Sequence, residues 1–180
     1  MKWMIASDIH GSATYCRKMI DAYHAEKADR LLLLGDILYH GPRNDLPEGY
    51  HPKTVMELLN HMKQDILCVR GNCDTEVDQM VLEFPIMADY ALLSVSDRMV
   101  FATHGHHFHE KNVPPLHKGD ILLHGHTHVP KCVEHENYVY MNPGSVSLPK
   151  ENSYHGYMIL DDQTFIWKDL DGTVKNQYCF

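Results

Sequence analysis

Apolar residues in the first part of this chain come in short unbroken runs rather than in alternation. Trp3 to Ala6 ends in Ser-Asp, Leu31 to Leu34 ends in Gly-Asp, and Ile66 to Val69 leads into Arg70-Gly71-Asn72. A strand covered on both faces reads this way because neither side meets water, so the runs predict central parallel strands. Between the first two, Ser12 stands where a helix cap belongs. Tyr15, Met19, Ala22 and Tyr23 then recur at roughly helical spacing, which completes a βαβ unit. Pro52 suits the first turn of a second helix, on which Val55, Leu58, Leu59 and Met62 form one stripe. The intervening Gly41 to Gly49, Gly-Pro-Arg-Asn-Asp-Leu-Pro-Glu-Gly, is turn-forming throughout and predicts an ordered loop, a candidate substrate rim.

Beyond a short helical stretch at Glu76 to Leu82 the pattern changes to seven short strands. They are Tyr90 to Val95, Met99 to Thr103, Ile121 to His124, Cys132 to Glu134, Tyr138 to Met141, Tyr157 to Leu160 and Phe165 to Lys168. Polar pairs such as Ser96-Asp97, Glu136-Asn137, Asp161-Asp162 and Asp171-Gly172 suit hairpin turns. A first half of βαβαβ and a second half of mostly β predict two sheets packed face to face with helices on their outer faces. With no repeat, linker or low-complexity tract, the expectation is one α/β domain over residues 1–180.

Charge narrows the partners. A net charge of −8 argues against general affinity for nucleic acid, which needs a basic surface. The apolar runs are far too short to span a bilayer. Five cysteines form neither a CxxC pair nor a disulfide framework, and the first strand begins too early for a leader peptide. The expected location is the cytoplasm. A homodimer through Tyr90 to Val95, or through Tyr178 and Phe180, is an option, although terminal aromatics often fold back onto a sheet.

The chemistry lies where the runs end. Asp8-Ile9-His10, Gly35-Asp36, Gly71-Asn72-Cys73-Asp74, Thr103-His104-Gly105 and Gly125-His126-Thr127-His128 each follow or adjoin a predicted strand, and strand ends are where open α/β sheets place their sites. Along an extended segment residues i and i+2 share a side, which would let Asp8 and His10 share one ion and, by the same argument, His126 and His128. Gly35, Gly71, Gly105 and Gly125 adjoin these candidates, where a missing Cβ lets the backbone approach an ion. Carboxylates, an Asn carbonyl and imidazoles, with no thiolate placed as a ligand, suit Mn²⁺ first and Fe²⁺ or Zn²⁺ as alternatives. Two such ions can hold a hydroxide between them. With two aspartates the formal charge is then about +1, which attracts a phosphate oxygen, so a small phosphate ester is the expected substrate.

The order Asp-x-His, Gly-Asp, Gly-Asn, His-Gly, Gly-His-x-His resembles the calcineurin-like metallophosphoesterase superfamily over essentially the whole chain. The segments Ala6 to Gly11, His40 to Asn44, Arg70 to Asp74 and Asn142 to Ser147 sharpen the resemblance towards its small bacterial phosphodiesterases. It implies a four-layer αββα sandwich, two mixed sheets flanked by helices. It also implies that Asp8, His10, Asp36 and His128 hold one ion and that Asp36, Asn72, His104 and His126 hold the other, Asp36 being shared. Asn72 counts as catalytic because, with the His ligands, it fixes the ions.

Two positions depart from the family pattern. Cys73 follows Asn72 where many relatives carry His; a neutral thiol is a poor proton donor, so esters with good leaving groups, diesters above all, are the expected substrates. Tyr39 stands where many relatives have a supporting Asp, which costs no ligand. Cys73 and Arg43 are the candidate substrate contacts, Arg43 through its planar fork. His106, His107, His109 and His124 surround the candidates but more often support ligands than bind ions themselves. Asn142-Pro143-Gly144-Ser145 reads as a turn that buttresses the His126 to His128 segment. The expected activity is a metal-dependent phosphodiesterase, against a phosphomonoesterase and a non-catalytic interaction scaffold of the same fold.

Overall fold

The computed structural model describes residues 1–180. Strand β1 (Trp3–Ala6), helix α1 (Ala13–Glu26), strand β2 (Arg30–Leu33), helix α2 (Pro52–His61) and strand β3 (Ile66–Cys68) follow the expected βαβαβ course. Ser12 caps α1 by accepting the Tyr15 N–H at 3.2 Å, and Lys27 closes it in the left-handed conformation. Helix α3 is shorter than the periodicity suggests, Glu76–Gln79, fixed by a reciprocal Thr75–Asp78 capping box. Leu82, Phe84 and Ile86 after it enter the core without helical backbone.

Eight strands follow: β4 (Tyr90–Val95), β5 (Arg98–Thr103), β6 (Asp120–His124), β7 (Lys131–Glu134), β8 (Tyr138–Asn142), β9 (Gly156–Asp161), β10 (Thr164–Asp169) and β11 (Val174–Cys179). One sheet runs β11-β10-β9-β1-β2-β3 and the other β4-β5-β6-β8-β7. The five-stranded sheet has a parallel centre, β5-β6-β8, edged by antiparallel β4 and β7, whereas in the six-stranded sheet parallel β1-β2-β3 form one side, with β3 at the edge, and antiparallel β9, β10 and β11 form the other. The last strand, β11, is absent from the sequence reading. It is an edge strand whose Lys175, Asn176 and Gln177 face solvent, so no apolar alternation marks it.

Two cores explain the unbroken runs. Met4, Ala6, Leu31 and Leu33 point to α1 and α2, where they meet Met19, Val55 and Leu59. Their neighbours Ile5, Leu32 and Leu34 point the other way, against Val100, Ala102, Ile121, Leu123 and Met141 of the second sheet. Both faces of β1 and β2 are therefore apolar. Two mixed sheets packed face to face bear out the expected sandwich. Its helical cover is uneven: α1 and α2 lie on the six-stranded sheet, whereas the outward Phe101, Leu122 and Tyr140 are buried outside both cores, with Phe108 of the loop 105–119 edge-on to Phe101 at 5.3 Å. No helix is long and apolar enough to cross a membrane. The two options for self-association separate here, because Tyr178 and Phe180 pack back onto the inter-sheet core while Tyr90 and Leu92 stay about half exposed on the free edge of β4.

Candidate metal centre

Five of the six parallel strands deliver candidate ligands to one place. Asp8 lies just past β1, Asp36 past β2, Asn72 past β3, His104 past β5, and His126 with His128 past β6. The backbone there is unusual. Asp8, His10, Asp36, His126 and His128 have φ of 59°, 48°, 56°, 65° and 62°, whereas the other five non-glycine residues with positive φ lie in turns or at a helix end. Left-handed backbone costs an L residue roughly 1–2 kcal/mol, so its concentration in five of seven candidate ligands marks a site held against strain. It also changes the reason these residues meet. Asp8 and His10 do not alternate along an extended strand; the chain coils back at each of them.

Hydrogen bonds hold that coil. The Asp8 carbonyl accepts the hydroxyls of Ser145 at 2.8 Å and Ser147 at 3.1 Å, and the His10 N–H donates to the Asp36 carbonyl at 2.9 Å. Close backbone approach needs glycine at two points. A Cβ on Gly71 would lie 2.1 Å from Asp36 Oδ1, and one on Gly125 would lie 1.9 Å from Ser7 Oγ.

The seven side chains converge as two groups. In the first, His128 Nε2 and His10 Nε2 lie 3.2 and 3.5 Å from Asp8 Oδ1 and 3.3 Å from each other. In the second, His104 Nε2 lies 3.0 Å from Asn72 Oδ1 and 3.1 Å from His126 Nδ1. Asp36 Oδ2 stands between them, 3.6 Å from His10 Nε2 and 3.5 Å from His104 Nε2. The i, i+2 argument pairing His126 with His128 fails here: left-handed backbone at both sends His128 to the first group and His126 to the second.

Tautomers sharpen this geometry. His10, His104 and His128 place Nδ1 2.8, 2.7 and 2.6 Å from the carbonyls of Tyr39, Leu34 and Leu148. A carbonyl only accepts, so Nδ1 carries the hydrogen and, in the neutral ring, each Nε2 presents a lone pair. Lone pairs facing one another at 3.3 Å repel unless a cation lies between them. Asp8 agrees: Oδ2 accepts Ser7 Oγ–H at 2.6 Å and the His126 N–H at 3.0 Å, but Oδ1 is fully buried with no hydrogen bond. An orphaned carboxylate oxygen amid imidazole nitrogens fits a divalent ion. Burial alone would raise the Asp8 carboxyl; His128 and His10 beside it more than reverse this and hold it well below the usual range. Burial likewise pulls His104 down, yet Asp36 outweighs it and brings the imidazole up to about 9.

A cavity of about 420 Å³ opens onto these groups, its lining almost entirely polar. Arg43 stands exposed on its wall and Cys73 is buried beneath it, so both candidate contacts reach the cavity. Lys150, which no motif signals, lines it as well, its N–H donating to the His128 carbonyl at 3.1 Å. Among the other histidines, His106 packs near His104, and His124 stacks on Tyr140. Burial pulls both down to about 4. Asn142 donates to the Gly125 carbonyl at 2.8 Å, the buttress expected of its turn.

Asp74 is a site residue that sequence reasoning misses. Its buried carboxylate accepts the N–H groups of Asp36, Ile37 and Gly71 at 2.8, 2.9 and 2.7 Å, tying the second ligand loop to the third. The Asp74→Ala protein strands three buried donors and should lose about 3 kcal/mol or more. Urea denaturation of the metal-free protein measures this; a loss below about 1 kcal/mol would show that water replaces the carboxylate.

Relatives include the phosphodiesterase YfcE of Escherichia coli strain K12, 46% identical over 162 residues, covering 90% of this chain and 88% of that protein. The phosphodiesterase MJ0936 of Methanocaldococcus jannaschii is 25% identical over 152 residues, 80% of this chain and 83% of that one. The solved structure of the E. coli phosphoesterase YfcE superposes with a TM-score of 0.96 at 43% identity, over 99% of both chains. Residues 1–164, which contain every side chain gathered at the strand ends, match the calcineurin-like phosphoesterase superfamily domain, and the chain belongs to that superfamily.

Proposed function

We propose that this chain is a phosphodiesterase that uses two divalent ions, Mn²⁺ first among them, and acts on a small phosphate diester. Asp8, His10, Asp36 and His128 would hold one ion, Asp36, Asn72, His104 and His126 the other. The observation that carries the reading is the shared Asp36 oxygen, at 3.5–3.6 Å from an imidazole nitrogen of each group, beside the orphaned Asp8 Oδ1. When bound, the ions supply Lewis acidity at the phosphate and activate water at neutral pH. The chain's own residues do the rest. Backbone carbonyls orient three imidazoles, Asn72 directs Oδ1 to the His104 group, and Arg43 and Lys150 place positive charge on the cavity wall. The oxygen-and-imidazole donor set favours Mn²⁺, with Fe²⁺ and Zn²⁺ as alternatives. The names of the curated relatives, two of them phosphodiesterases, support the diester.

Chelation tests it. Stripping metal should lower hydrolysis of bis(p-nitrophenyl) phosphate by about 10²-fold or more, and Mn²⁺ should restore it. Activity that neither falls nor returns would rule out a metal-dependent site, and a p-nitrophenyl phosphate rate above the diester rate would make the protein a monoesterase.

A pH experiment tests the ligands themselves. In the metal-free protein the His104 imidazole is raised from 6.5 to about 9, so its contribution to stability is full below 6.5 and is lost as pH climbs towards 9. An ion needs the same imidazoles neutral and gains affinity over that interval. Metal-free Tm should therefore fall from pH 6.5 to 9, while the Tm increment given by Mn²⁺ grows. His106 and His124, pulled down by burial, act only below 6.5. An increment that shrinks or stays flat across this range, read by thermal unfolding with and without Mn²⁺, would separate the imidazoles from the metal.

A further inference from the structure

One donor left out of the oxygen-and-nitrogen set stands within reach of it. Cys73 Sγ, a ring nitrogen of His10 and a carboxylate oxygen of Asp36 lie within 4.8 Å of one another, all three residues buried. Local bonds keep them together. The Cys73 N–H donates to Asp36 Oδ1 at 2.8 Å, so carboxylate and thiol cannot drift apart, and Asn72 Nδ2–H donates to Cys73 Sγ at 3.2 Å, which fixes the sulfur beside the site. Beside the trio lies the unsatisfied Asp8 Oδ1, fully buried and 3.5 Å from His10 Nε2. Hard and soft ions meet different surroundings here. Mn²⁺ prefers oxygen and imidazole, whereas Zn²⁺ and Cd²⁺ take thiolate readily.

We propose that Cys73 makes this centre discriminate between metals: a thiophilic divalent ion is held by Cys73 Sγ together with His10 and Asp36, whereas Mn²⁺ leaves the thiol unligated. On binding, the S–H bond breaks, its proton passes to water, and a sulfur lone pair goes to the ion, so no oxidant or reductant is required. An ion held this way occupies the shared Asp36 carboxylate and the cavity wall, and so inhibits turnover. The inference rests on the two-ion reading above.

Co²⁺ separates the two. Its visible d–d bands report binding, and its near-ultraviolet thiolate charge-transfer band reports a sulfur ligand. Metal-free wild type titrated with Co²⁺ should show both; Cys73→Ser and Cys73→Ala should show only the visible bands. Cys132 and Cys179, the cysteines not fully buried, are retained in every protein, so the difference isolates Cys73. Visible bands without a Cys73-dependent charge-transfer band would overturn the sulfur ligand and leave the two-ion centre standing. No visible bands at all would overturn both. In Mn²⁺-supported turnover, the Cd²⁺ concentration that halves the rate should rise about tenfold or more in Cys73→Ser, and an unchanged value would overturn the inhibitory role.

Discussion

The Asp36→Asn protein should lose about 10³-fold or more in kcat/KM on a diester and should bind one ion per chain rather than two. Asp36 lies between the groups, with Oδ2 3.6 Å from His10 Nε2 and 3.5 Å from His104 Nε2. Asn preserves the shape and can still accept the Cys73 N–H that Asp36 Oδ1 receives at 2.8 Å, but it removes the negative charge that two neighbouring cations need between them. A factor of 10³ corresponds to about 4 kcal/mol, which is reasonable for losing one ion's stabilisation of a phosphate transition state. Elemental analysis after Mn²⁺ loading, with steady-state kinetics, checks both halves. Two ions and kcat/KM within tenfold of wild type would remove Asp36 from the shared position.

The left-handed backbone at Asp36 also shows where sequence reading succeeds and stops. The runs through Ile5, Leu32 and Leu34 were legible as buried strands because each face meets a core, and the residues at their ends were legible because parallel strands deliver them to one edge. The grouping of those residues was not. Period-two alternation assumes extended backbone, while Asp8, His10, His126 and His128 all have positive φ, so the spacing argument joined His126 to His128 and only the resemblance separated them. Asp and His favour that conformation only weakly, and partners far along the chain fix it, such as Ser145 and Ser147 on the Asp8 carbonyl.

Position in the fold gives other residues their meaning. Asp74 carries no signal of its own within its motif, because its importance lies in three N–H groups from two separate loops. Lys150 reads as an ordinary surface lysine until the chain brings it beside His128 and Thr127. The strand β11 failed to register for the opposite reason: its Asp171-Gly172 turn is clear, but an edge strand with exposed Lys175, Asn176 and Gln177 carries no apolar pattern.

Replacing Cys73 by His should create phosphomonoesterase activity, raising turnover of an alkyl monoester such as glycerol phosphate by about 10²-fold while the bis(p-nitrophenyl) phosphate rate changes by less than tenfold. A monoester with a poor leaving group needs a proton delivered as the P–O bond breaks. Burial and the neighbouring Asp36 and Asp74 carboxylates push the Cys73 thiol up, so in the protein without ions it holds its proton too tightly to donate it. An imidazole flanked by the same carboxylates would be protonated near neutrality and able to release its proton. Room exists beside the position, because Gly41 has no Cβ; one built there would lie 3.2 Å from Cys73 Sγ. The comparison needs Cys73→Ser, which removes the sulfur without adding a strong acid. Raised monoester turnover in Cys73→His but not in Cys73→Ser assigns the change to proton delivery, and its pH profile should acquire a descending limb as the new imidazolium titrates. Equal monoester rates in the two variants would mean that proton delivery is not what separates diester from monoester at this site.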